Sequence, residues 1–178
     1  MNSIISCICF FFVFTKASLL SNSTDCSYFL SPNGIDQKNA TEFSSLSFAL
    51  KQFIANKPNE TNPIICLKKG IFKNPNSFTV KLNKNFTIGN VESLEIKSVD
   101  GTAEIHSDVS IVSDSKSKNV FETIVFESVV VGKSSSSCTL ISRRELVLRS
   151  FEAHGSTTLS SEVLSMSAVS VMAEAKLR

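Results

Sequence analysis

The chain has no tryptophan and one tyrosine against 14 phenylalanines. Tyrosine and tryptophan build carbohydrate- and protein-binding faces, whereas phenylalanine fills cores, so this balance favours a scaffold over an aromatic recognition platform. Charge of either sign is also scarce: the formal net charge of +2 over 178 residues is too small to argue for nucleic acid or an acidic membrane surface. A glycine-rich phosphate loop, a P-loop lysine, a dinucleotide fingerprint and zinc-site cysteine spacing are all missing. What is present suffices for one domain with a sizeable core, since 42% of the residues are hydrophobic and only 19% charged.

The longest apolar run comes first. Ile4 to Phe14 is almost wholly apolar, the length of a signal-peptide core and too short to span a bilayer comfortably. Thr15-Lys16-Ala17 follows with small residues where a signal peptidase reads, which predicts cleavage near Ala17–Ser18 although no Lys or Arg precedes the run. Losing residues 1–17 removes Lys16 and lowers the net charge to +1. Asn22, Asn39, Asn59 and Asn85 each open a glycosylation sequon, clustered in the N-terminal half, in keeping with secretion. Cys26, Cys66 and Cys138 remain in the mature chain. Cys26–Cys66 is the expected disulfide because both fall in neighbouring early strands; Cys138 is then free or paired elsewhere, and connectivity stays open at this level.

Along the mature chain, Cys26 to Leu30 reads as a strand stopped by Ser31-Pro32-Asn33-Gly34. Thr41 is the expected N-cap of the one convincing helix, with Phe43, Leu46, Leu50, Phe53 and Ile54 on its apolar face and Lys57-Pro58-Asn59 ending it. From residue 64 the period becomes that of strands: Ile64–Leu67, Ile71-Phe72, Phe78–Leu82 and, more briefly, Phe86–Ile88. One pattern then recurs as Leu94–Val99, Ile124–Val129 and Leu146–Phe151, with a weaker copy at Leu164–Val169 in which Ala168 replaces a Ser. The copies start 30, 22 and 18 residues apart, within the range of stacked repeats that cannot bury their apolar face alone. Stacked in parallel, about 4.8 Å apart, they place Leu94, Ile96 and Ser98 inside above Ile124, Phe126 and Ser128 and then Leu146, Leu148 and Ser150. Val99, Val129 and Phe151 follow at once and break the alternation, so a bend is expected there, with the Ser satisfying a backbone group that leaves the ladder. Lys97, Glu127 and Arg149 form an outward column of alternating sign. An antiparallel sandwich also has alternating strands, but unequal spacing and few tight hairpin dipeptides argue against it.

Tyr28–Gly34, the Ser45–Leu50 helix and Ile65–Phe72 together resemble the opening of right-handed parallel β-helix proteins of the pectin-lyase-like superfamily. The resemblance covers residues 28–72. It implies an all-β solenoid with a short N-terminal capping helix: leader at 1–17, first strand and capping helix at 18–63, coils at 64–178. No C-terminal cap is legible after Leu164, although Ser167 to Lys176 are compatible with a short helix. A truncated member, or a piece of a longer surface protein, is therefore expected.

Many proteins of that fold are polysaccharide lyases or hydrolases, so an enzyme of that kind is the rival reading. The four arginines, Arg143, Arg144, Arg149 and Arg178, lack the lyases' Arg-x-Pro-x-x-Arg setting, and Ala153-His154-Gly155 only echoes the polygalacturonases' Gly-His-Gly without paired carboxylates. Asp100, Glu104, Asp108 and Asp114 read as solvated loop charge, His106 and His154 as surface residues, and Ser134–Ser137 as a flexible loop. The expectation is a secreted or cell-surface glycoprotein, a structural or adhesive scaffold. It has no catalytic residue, cofactor, metal, nucleic-acid partner or mature transmembrane span. Glycans or host and cell-surface proteins are the expected partners, and the oligomeric state is left open.

Overall fold

The computed structural model describes residues 26–83, 86–113, 120–132, 136–172 and 175–177. The expected leader at 1–17 and the sequons at Asn22 and Asn85 lie outside the described residues. The chain opens with β1 (Tyr28–Leu30), β2 (Glu42–Phe43) and α1 (Leu46–Asn56). Strands then come in triplets. The first is β3 (Ile64–Leu67), β4 (Gly70–Phe72) and β5 (Phe78–Leu82); the second is β6 (Ser93–Ser98), β7 (Ala103–Ile105) and β8 (Val109–Ser113). The third is β9 (Thr123–Glu127), β10 (Val129–Val131) and β11 (Cys138–Ile141); the fourth is β12 (Glu145–Arg149), β13 (Glu152–Ala153) and β14 (Thr157–Ser160). The last is β15 (Val163–Ser167), β16 (Ser170–Val171) and β17 (Ala175–Leu177).

Each triplet gives one strand to each of three sheets. The first sheet has seven strands in the order β15-β12-β9-β6-β3-β1-β2; the others have five each, β16-β13-β10-β7-β4 and β17-β14-β11-β8-β5. Every ladder between named strands is parallel. The protein is therefore predominantly β, with one described helix and three parallel sheets. Phe86–Ile88, expected as a strand, is not one: Phe86 forms an isolated antiparallel bridge with Asn83.

Parallel register stacks like on like. Leu94, Ile124, Leu146 and Leu164 are mutual partners in the first sheet, as are Ile65, Ile96, Phe126, Leu148 and Met166. Phe72, Ile105, Val131, Ala153 and Val171 form the matching column of the second sheet, and Val80, Ile111, Leu140 and Leu159 that of the third. Apart from the last triplet, these residues are at most 2% exposed. Phenylalanines join the sheets across the corners: Phe72 meets Phe78 edge-on at 5.3 Å and Phe126 meets Phe151 at 5.8 Å. On the outer face Lys97 aligns with Glu127 and Glu127 with Arg149, whose guanidinium donates to Glu127 at 3.3 Å. Lys97 is itself almost fully covered, with its ammonium 3.3 Å from Glu95.

The recurrent Ser lies at the bend that the broken alternation led one to expect, but it does not face inward. Ser128, Ser150 and Ala168 sit at the bend between the first and second sheets with φ of 58°, 47° and 52°. This left-handed turn directs their side chains away from the core, and the next residues, Val129 and Phe151, take the interior. The bend amides of Ser128 and Ser150 donate to Arg149 O and Ser167 O of the following layer, each at 2.9 Å. Ser98 departs from the pattern because Val99–Thr102 lengthen its bend, and its hydroxyl donates to the Gly101 carbonyl.

Helix α1 closes one end. Leu46, Ala49, Leu50 and Phe53, at i, i+3, i+4 and i+7, are its buried face. Its N-cap is Ser45, not Thr41: Ser45 Oγ accepts from Phe48 N, and the Asp36 carboxylate accepts from the amides of Ser44 and Ser45. Phe43 belongs to β2 because it pairs with Leu30. At the other end the described residues of 167–176, where a short helix was expected, form none; β16 and β17 extend the second and third sheets instead.

Ser128→Val and Ser150→Val, which force a β-branched side chain into the left-handed region, should each lower stability in urea by about 1–2 kcal/mol. Glycine at the same positions should leave the midpoint unchanged or raise it.

Candidate functional site

The sheet geometry creates an open groove of about 470 Å³ along the outer face of the third sheet, where it borders the second. Its floor is a ladder of hydroxyls. Thr79, Ser110 and Thr139 are register partners on β5, β8 and β11, and Thr158 on β14 continues the line. Strand spacing sets these hydroxyls about 4.8 Å apart. Lys73, Lys81, His106 and Asp108 supply the charge at the rim. Asp108 is engaged internally: its Oδ1 accepts from the amide and hydroxyl of Ser137, at 2.7 and 3.0 Å.

The rim is built by the same stacking as the core. His106 N donates to Phe72 O, Gly132 N to Ile105 O, His154 N to Val131 O and Met172 N to Ala153 O. These four residues therefore occupy one corner in successive layers, with Lys73 at the equivalent place in the first triplet. His106 and His154, remote in sequence, stand on one edge two layers apart, about 10 Å by strand spacing. Each pairs with the glutamate two residues before it, Glu104 at 3.0 Å and Glu152 at 2.7 Å. The sequence signal for this was present and passed over. Glu-x-His occurs twice, and a two-residue step along a strand puts both side chains on one face.

Tight packing holds this corner. A Cβ on Gly155 would lie 1.6 Å from the Ser136 carbonyl oxygen, and one on Gly132 2.7 Å from Ser136 Cβ. Of the serine run expected as a loop, Ser136 and Ser137 belong to no strand; Ser136 is 8% exposed and packs against the two glycines, Ser137 is exposed, and Ser134 and Ser135 lie outside the described residues. Of the acidic residues read as loop charge, Asp100 is exposed, Glu104 and Asp108 are engaged as above, and Asp114 lies outside the described residues.

The remaining expected sites lie near the capped end. Cys26 and Cys66 are joined by a disulfide that closes 40 residues of sequence, tying the segment before β1 to β3. Asn39 and Asn59 are exposed, one before β2 and one just after α1. Lys68 donates a hydrogen bond to Glu42, and this bond, assisted by Ser31, holds the Glu42 carboxyl below its ordinary 4.5 against the opposing effect of burial. Cys138 is buried in the third sheet, where desolvation pushes its thiol up to about 12. Among the described residues no cluster of three or more His, Cys, Asp or Glu side chains is placed to hold a metal, and no helix is long and apolar enough to cross a membrane. No protein-family model, curated protein or solved structure matches the chain.

Two outcomes follow from the ionisable groups. A carboxyl whose folded pKa is depressed stabilises the fold above its unfolded value and loses that contribution as pH falls through the folded value. Urea midpoints should therefore drop between pH 5 and 3 by more in the native protein than in Glu42→Gln. Iodoacetamide at pH 8 should leave Cys138 unmodified in the folded protein and alkylate it in urea, as site-resolved mass spectrometry would show.

Proposed function

We propose that the three parallel sheets are the walls of a parallel β-helix, of which this chain forms the N-terminal cap and first coils. A right-handed path is what the crossover rule favours for successive parallel strands. On this reading the protein is a secreted or cell-surface glycoprotein whose role is structural and adhesive, a rigid scaffold without catalytic activity. The observation that carries it is the assignment of every third strand to the same sheet, in parallel, over five triplets. Such stacking yields a stiff rod with uniform outer faces and no single deep cleft.

Three further observations support the extracellular part. The chain opens with a leader-like run, Asn39 and Asn59 are exposed within sequons, and Cys26 and Cys66 are disulfide-bonded, as oxidising compartments allow. The hydroxyl ladder, flanked by lysines, supports a glycan as the adhesive partner, since evenly spaced donors and acceptors match a polymer of hydroxylated rings better than an apolar ligand. The groove's one carboxylate, Asp108, is occupied by Ser137, and hydrolysis of a glycosidic bond needs two carboxylates across the scissile linkage.

Expressed with its own leader in a eukaryotic secretory host, the protein should reach the medium beginning near Ser18. Enzymatic deglycosylation should lower its mass, with a smaller drop in Asn39→Gln and Asn59→Gln. Retention inside the cell without glycan would overturn the localisation, and uronate release from pectate with added Ca²⁺ would overturn the non-enzymatic role.

A further inference from the structure

The groove on the third sheet is built layer by layer, and each layer contributes differently. The first triplet brings Lys73 and Lys81 beside Thr79; both lysines are exposed and neither has an ion-pair partner among the described residues. The second brings Ser110 with His106 and Asp108, and those two are already engaged, by Glu104 and by Ser137. The third brings Thr139. The hydroxyl-bearing residues Thr79, Ser110, Thr139 and Thr158 are half-buried and follow one another at one per layer.

The direction of this column decides how a polymer can lie on it. A chain laid along the stack meets one hydroxyl in every layer. A chain laid along a strand meets one and then an apolar side chain, because Val112 and Ile141 hold the next outward positions after Ser110 on β8 and Thr139 on β11. An extended β-1,4-linked pyranose chain advances by about one strand spacing per ring, so successive rings fall over successive layers about 4.8 Å apart. An α-1,4-linked chain, which coils, leaves that register.

Charge then selects among such chains. None of the described residues lining the groove is Phe, Tyr or Trp, so it offers no stacking face to a sugar ring. Hydroxyl-to-hydroxyl bonds replace bonds to water and yield little net affinity. An ammonium group facing an anionic oxygen makes the stronger, charge-assisted bond, and Lys73 and Lys81 are free to make it. We infer, on the reading of this groove as the glycan site, that its ligand is an extended, acidic, β-1,4-linked polysaccharide. It lies along the stack with one ring per layer, and Lys73 and Lys81 hold its carboxylate or sulfate groups.

The experiment is calorimetric titration of the secreted, full mature chain with four tetrasaccharides: β-1,4-linked glucuronate, its α-1,4-linked isomer, sulfated cellotetraose and cellotetraose. One or both of the acidic β-linked probes should bind at least tenfold more tightly than cellotetraose, and the tighter of the two identifies the acidic group. The α-linked isomer should bind at least fivefold more weakly than β-1,4-linked glucuronate. Lys73→Gln and Lys81→Gln together should remove the advantage of acid over neutral sugar, with an unchanged urea midpoint to show that the variant folds. A nitroxide on one end of the tighter probe should broaden the amide resonance of either Thr79 or Thr158 and spare the other. If none of the four sugars binds, the glycan reading falls and this inference with it. If cellotetraose binds as tightly as the acids, the α-linked isomer matches the β, the lysine changes have no effect, or both ends of the column broaden alike, this inference alone is overturned.

Discussion

No layer of this chain can bury its apolar face by itself; each does so only against the layers on either side. Parallel pairing at about 4.8 Å imposes that dependence, because it sets residue upon equivalent residue and turns each core position into a column. Ile65, Ile96, Phe126 and Leu148 are therefore one structural unit spread over 83 residues of sequence. The same constraint acts on the bends. Ser128 and Ser150 hold a left-handed backbone because the next layer's carbonyl receives the bend amide, which keeps each turn directly over the one below.

The two edges of the described stack differ. The first is sealed by α1 and bonded covalently between Cys26 and Cys66, and Asp36 anchors the helix start. At the other edge β15, β16 and β17 are the outermost described strands, and Met166 is 46% exposed. Between these ends the outer faces differ in kind. The first sheet carries ion pairs such as Glu127–Arg149, and the third carries hydroxyls in register beside the paired histidines. On the proposed reading this is a scaffold in which stability runs through the core columns while recognition is left to the outer columns.

Local pattern revealed much of the wall and little of the site. The spacing of Leu94, Ile124 and Leu146 was enough to align Lys97, Glu127 and Arg149, because a period-two strand with one buried face admits few registers. It also located the bend at Ser98, Ser128 and Ser150, but not the left-handed backbone that turns Ser128 and Ser150 outward, because only the exit path of the chain sets it. The helix start was misplaced for a related reason. Thr41 and Ser45 are both capping residues, and Phe43 fits a helical face until Leu30 claims it for a sheet. His106 and His154 were not placed on one edge because their alignment depends on loop lengths across the intervening layer, which carry no periodic signal.

The amino-acid order by itself determined the alternation of strands, the identity of the capping helix and the length of the repeat, since these follow from side-chain period and turn chemistry over a few residues. Tertiary structure alone decided which corner gathers the Glu-x-His pairs and why Gly155 must lack a side chain beside Ser136. The physical reason is the range of the interactions: a strand's faces are set by neighbours two residues away, whereas a column, a corner or an open end exists only when layers some 20 to 30 residues apart are brought into register.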